Sequence, residues 1–90
     1  MSSKRDLKRV IGYVCTELFA ECVAASLYNG TSTKEDSKAI CTSILNLHSD
    51  FIKRIGHPEP GLPAKKYYRF TIDEFNKQVE EIVDQITNLY

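Results

Sequence analysis

Four residues in the stretch YVCTELFAECVAASLYNG, residues 13–30, are of types that do chemistry: Cys15, Glu17, Glu21 and Cys22. Glu17 and Glu21 stand one helical turn apart, so on a helix their carboxylates project to one side. Paired carboxylates hold metals in di-iron bundles, but those sites add Glu-x-x-His motifs from facing helices. The chain has no such motif. His48, on the flank of a second helical segment, is the histidine that an antiparallel helix pair would bring toward Glu17 or Glu21. A Glu17–Glu21–His48 metal or catalytic cluster is therefore a third-ranked reading. The favoured one makes both glutamates polar trim at the edge of a buried helix.

The cysteines are Cys15, Cys22 and Cys41, with no CxxC pair and no zinc-ligand spacing. Cys15 and Cys22 are separated by about 10 Å of helical rise, too far for a disulfide. Cys41 falls some two turns into its helix, away from the N-terminus that would stabilise a thiolate. Reduced packing thiols are expected, with Cys22 inside and Cys15 and Cys41 nearer the flanks. Glycine-rich phosphate loops, G-x-S-x-G and a Ser-His-Asp set are all absent from the sequence. The expectation is a protein that is not an enzyme, with no catalytic, metal or cofactor-binding residues. His57, in GHPEP, is expected to be exposed and solvated.

KKYYRF, residues 65–70, interleaves cations with rings, the composition of a nucleic-acid contact. With the N-terminal KRDLKR it offers Arg5, Arg9, Lys65, Lys66 and Arg69 as a patch, joined by Lys53 and Arg54. Against this, twelve basic and twelve acidic residues cancel over the whole chain, and residues 71–90 set five acids against one lysine. The basic segments are expected to neutralise that acidic helix. The turn near residue 30 is not followed closely by a third helix, as a helix-turn-helix requires. Nucleic-acid binding is thus possible but not favoured.

The elements that must position these residues are three helices. Leu7, Ile11, Val14, Leu18, Cys22 and Ala25 recur at intervals of four and three and form one stripe, bounded by Ser2 or Ser3 and by Asn29-Gly30. Thr33 opens a second segment, with Glu35 and Asp36 in its first turn and the stripe Ile40, Ile44, Leu47, Phe51, Ile55. Lys53 and Arg54 suit its negative end, and Gly56 stops it. Prolines 58, 60 and 63 then break the pattern. Thr71-Ile72-Asp73-Glu74 reads as a capping box, and Ile72, Phe75, Val79, Ile82, Ile86 and Leu89 make a third stripe.

The expected architecture is an all-α three-helix bundle in one domain spanning residues 1–90. Its helices cover approximately 4–29, 34–55 and 72–89, with a short first connection and a long Pro-rich crossover over 56–71. No continuous apolar run reaches the eighteen or so residues of a membrane span, because Glu17 interrupts. No signal-peptide pattern is present. A cytoplasmic location and no membrane partner are expected.

The first helix is too apolar for one core. Phe19, Val23 and Leu27 fall progressively round to the side away from the stripe, and a helix apolar on several sides is covered on several sides. Either the crossover, with Leu62, Tyr67, Tyr68 and Phe70, folds over that side, or a second molecule does. A homodimer, or an unidentified protein partner, is expected to use Phe19, Val23 and Leu27 together with Tyr67 and Tyr68. Gly12, expensive inside a helix by about 1 kcal/mol relative to alanine, is expected to mark a close approach, beneath Tyr67 or Tyr68.

Overall fold

The computed structural model describes residues 4–28 and 34–89, and among these the chain forms three helices and no strand. They are α1 (Lys4–Tyr28), α2 (Lys34–Gly56) and α3 (Ala64–Thr87). All three pack on one another, giving an all-α three-helix bundle 49 Å long and 16–18 Å across. The expected helix boundary at Asn29-Gly30 and the expected caps at Ser2, Ser3 and Thr33 lie outside the described residues.

The apolar stripes become the core. Ile11, Leu18, Cys22 and Ala25 of α1, every stripe residue of α2, and Phe75, Ile82, Ile86 and Leu89 are buried. Leu7, Val14, Ile72 and Val79 pack on its margin. Phe51 and Phe75 meet edge-on at the α2–α3 contact, their ring centroids 5.3 Å apart, an arrangement aromatic quadrupoles favour. Glu35 and Asp36 lie in the first turn of α2 and Lys53 and Arg54 in its last, each sign facing the helix pole that stabilises it.

The third helix begins earlier than its sequence signal indicates. Its first residue is Ala64, so KKYYRF is helical and the crossover is confined to residues 57–63. Thr71 is not a cap: it is buried, and its Oγ1 donates to the carbonyl of Tyr67, 2.8 Å away, the back-bond of a mid-helix threonine. The start is set by Pro63, with φ −57° and ψ 134°, whose carbonyl accepts the amide of Tyr67 at 3.0 Å. Burial decides against the capping box. Tyr68 packs on the core and Thr71 is inside it, extending the stripe of Ile72 and Phe75 one turn backwards. In the short crossover Gly61 takes φ +91°, a conformation that glycine reaches without strain.

Candidate interaction surface

At 3.6 residues per turn, Glu17 and Phe19 lie on opposite flanks of α1, with Leu18 between them pointing into the core. The two flanks meet different neighbours. On one, Glu17, Leu18 and Glu21 border a hollow of about 270 Å³ whose far wall is Val83, Ile86 and Thr87 of α3. On the other, Gly12, Cys15, Thr16 and Phe19 face Ile44, Leu45 and His48 of α2 across a groove of about 230 Å³ to which α3 contributes nothing. The α1–α2 hairpin is thus a two-helix layer. α3 covers one of its faces and leaves the other open.

The open face is apolar. Phe19 is 40% exposed, Val23 38% and Leu45 60%. Val23 and Leu27 follow Phe19 at one-turn intervals and drift away from α2, until Leu27, 83% exposed, points outward at the far end of α1. His48 is the only histidine or charged side chain lining the groove. Gly12 forms part of its floor: a Cβ built there meets only the His48 Nε2, at 3.9 Å. Gly12 therefore does not lie beneath Tyr67 or Tyr68. It opens a slot beside His48.

The crossover does not cover this side of α1. Leu62 and Phe70 are themselves exposed. Tyr67 and Tyr68 are engaged within the chain instead. The Tyr67 hydroxyl donates to the carbonyl of Arg54 at 3.0 Å, and the two tyrosine rings meet edge-on at 6.0 Å. Of the residues expected to share one interface, Phe19 and Val23 border the open face, Leu27 lies beyond it, Tyr67 belongs to the α2–α3 contact and Tyr68 packs on the core. Leu45 escaped the sequence reading. The available signal was its position, since it is an apolar residue one step off the α2 stripe.

Glu17 and Glu21 are both exposed on the α3 side, whereas His48 lines the opposite groove. The three do not converge. Among the described residues no three His, Cys, Asp or Glu side chains gather as a metal ion would require. His57 is exposed, its amide donating to the Lys53 carbonyl at 3.0 Å.

The thiols are arranged differently from the sequence expectation. Cys15 is buried rather than flanking, and burial raises its pKa. Cys22 is fully buried, and the half-buried Cys41 donates its thiol hydrogen to the Cys22 Sγ across 3.3 Å. Cys22 in turn donates weakly to the Ser37 carbonyl at 3.6 Å. Burial first, and the hydrogen bond and charge of Cys41 second, push the Cys22 thiol up to about 11. The sequence spacing showed only that Cys15 and Cys22 cannot pair. It did not show that Cys22 and Cys41 meet across the hairpin.

The cations gather at one end. Lys8 reaches the C-terminus of α2, its Nζ lying 3.5 Å from where a Cβ on Gly56 would stand, and the Tyr67–Arg54 bond ties the start of α3 to the same place. Arg5 and Arg9, then Lys53 and Arg54, then Lys65, Lys66 and Arg69 therefore share that end of the bundle. Arg54 is partly occupied there, 3.2 Å from the Asp50 carboxylate and stacked 4.6 Å from the centre of the Phe51 ring. The acidic end of α3 (Glu80, Glu81, Asp84) lies roughly 22–28 Å from Lys65 along the helix. These three acids are beyond the reach of the basic segments, whereas Asp73 and Glu74 follow Arg69 within about one turn of the same helix.

By length and hydropathy alone α1 also passes the test for a membrane-crossing helix. Within Lys4–Leu27 an 18-residue window averages a hydropathy of 1.5, and 28% of that window is buried in the bundle. Comparison with protein-family models, with curated proteins and with solved structures finds no match to this chain.

Proposed function

We propose that this protein acts by association, as a homodimer joined through the open face of its α1–α2 hairpin. The observation that carries the reading is the apolar groove between Phe19 and Leu45, on the side that α3 leaves bare. A bundle 49 Å long and 16–18 Å across has room on one face for the roughly 800 Å² per partner of a standard interface. Zero net charge means that two copies carry no overall repulsion, and the groove lining presents no carboxylate or ammonium that burial would strand.

Gly12 and Phe19 both line the groove, about two turns apart on one side of α1, so a two-fold axis passing between them would bring the Phe19 ring of each copy toward the Gly12 slot of the other. This is the isologous pattern of a closed dimer. A membrane-crossing role for α1 is disfavoured, because Glu17 and Glu21 would have to enter the bilayer core, where carboxylates are costly.

Light scattering tests the reading. At tens of micromolar the wild-type chain is expected to show twice its 10.3 kDa mass. Gly12→Leu, which fills the slot, is expected to scatter as one chain with unchanged helical circular dichroism. A wild-type protein that scatters as one chain, or sediments with phospholipid vesicles through α1, removes the reading.

The second reading is single-stranded nucleic acid, favoured by the convergence of Arg5, Arg9, Lys65, Lys66 and Arg69 at one end, beside the exposed ring of Phe70. Three basic segments and a stacking surface are the parts such a site uses. Anisotropy titration with a short single-stranded DNA decides it. Affinity well below the micromolar range, lost in Lys65→Ala and Arg69→Ala and falling steeply with salt, supports this reading. Binding no tighter than ordinary non-specific contact dismisses it.

A further inference from the structure

We infer that Cys22 and Cys41 form an oxidisable dithiol that closes to an intrachain disulfide between α1 and α2. Their sulfurs are 3.3 Å apart although the residues are nineteen positions apart in the chain. A disulfide needs about 2.05 Å between the sulfurs, so the remaining approach is just over 1 Å. Both residues sit on helices already packed against each other.

The two thiols differ in access. Cys41 is half-buried and Cys22 is fully enclosed. Cys41 is therefore the sulfur that an oxidant reaches first, and Cys22 the one that resolves. Cys15, buried elsewhere in the core and on the same helix as Cys22, has no part in it.

The co-reactant is a low-molecular-weight disulfide such as oxidised glutathione. The Cys41 thiolate attacks one of its sulfurs. The S–S bond of the small disulfide breaks, one small thiol leaves, and a mixed disulfide remains on Cys41. The Cys22 thiol then gives up its proton and attacks the Cys41 Sγ, forming the Cys22–Cys41 bond and expelling the second small thiol. Two protein thiols are oxidised, one small disulfide is reduced to two thiols, and the protons lost by the cysteines end on those thiols.

Closing a loop of this length removes conformational freedom from the unfolded chain. The oxidised protein is thus more stable than the reduced one, and the α1–α2 hairpin is locked in the arrangement that presents the open face. The inference stands on the sulfur geometry and does not need the chain to dimerise.

The test uses the wild-type chain. After incubation with excess oxidised glutathione and alkylation of the remaining thiols, it is cut after glutamate, which separates Cys15 from Cys22 at Glu17 and Glu21. Mass spectrometry is expected to find the peptide spanning 22–35 joined to that spanning 36–59, with Cys15 alkylated. The link should be reversed by dithiothreitol, retained in Cys15→Ser, and accompanied by a higher thermal midpoint than that of the reduced protein. Free Cys22 and Cys41 after oxidation, a stable mixed disulfide on Cys41 that never resolves, or a link only between separate chains would each overturn the inference. Because the readout is made on the wild type, it survives the failure of any cysteine variant to fold.

Discussion

The two faces of the α1–α2 hairpin are made from the same two helices and come to opposite ends. On the face covered by α3, the apolar residues are sealed: Phe51 and Phe75 meet at 0% and 2% exposure. On the other, Phe19 and Leu45 flank a groove with 40% and 60% of their surface in solvent. Apolar content alone does not explain this, because on α1 the flank toward α3 carries Glu17 and Glu21 while the open flank carries Phe19. What separates them is the side on which the third helix returns. Residues on the covered face hold the fold, and residues on the open face are free to hold something else.

The comparison is easiest to break at Phe75. Its ring is almost wholly enclosed and packs edge-on to Phe51. Phe75→Ala is expected to destabilise the chain by about 3–5 kcal/mol, read by urea or thermal unfolding. A loss below about 1 kcal/mol would mean that α3 does not seal that face.

Alkaline pH probes the hairpin seam between the two faces. The folded Cys22 thiol titrates near 11, above its ordinary 9.0. The folded state therefore keeps a proton that the unfolded chain has lost. The contribution is complete below about pH 9 and disappears as pH rises towards 11. Wild-type stability is expected to fall across that window relative to Cys22→Ala, so the gap between the two narrows. A gap that stays constant from pH 8 to pH 11 would show that Cys22 is not enclosed.

Gly12→Ala sharpens the open face with the smallest effect. The added Cβ meets only His48, at an ordinary 3.9 Å, and replacing glycine inside a helix gains roughly 0.5–1 kcal/mol. Measured on dilute monomer, the variant is expected to be more stable by that amount. Destabilisation would place Gly12 in an intrachain contact instead.

Much of the bundle was legible in the sequence, because a 3.6-residue period writes the buried stripe directly. All five stripe residues of α2, from Ile40 to Ile55, are buried. The start of α3 was not legible. Thr71-x-x-Glu74 carries the same side chains as a capping box, and local sequence cannot tell that Tyr68 and Thr71 will be held against the core. The apolar excess on α1 was visible too, but the side on which it would be left open was not. That side depends on where α3 returns after residues 57–63. The Cys22–Cys41 meeting was hidden for a related reason. It depends on the register of α1 against α2, which spacing within either helix does not encode. The gathering of cations needed only topology: in an up-down-up bundle the starts of α1 and α3 and the end of α2 share one end.

Sedimentation equilibrium of two matched charge variants tests most directly whether the open face, and not the α3 side, is the association surface. Val23 and Val83 are similarly exposed, at 38% and 44%, but Val23 borders the open face and Val83 lies on α3. The account predicts a dimer for the wild type and for Val83→Glu. For Val23→Glu it predicts a helical monomer, with dimer affinity lowered at least about tenfold as apolar burial at two copies is lost and a carboxylate must be desolvated. A wild-type monomer at tens of micromolar, or a dimer that Val83→Glu dissociates and Val23→Glu leaves intact, would contradict it.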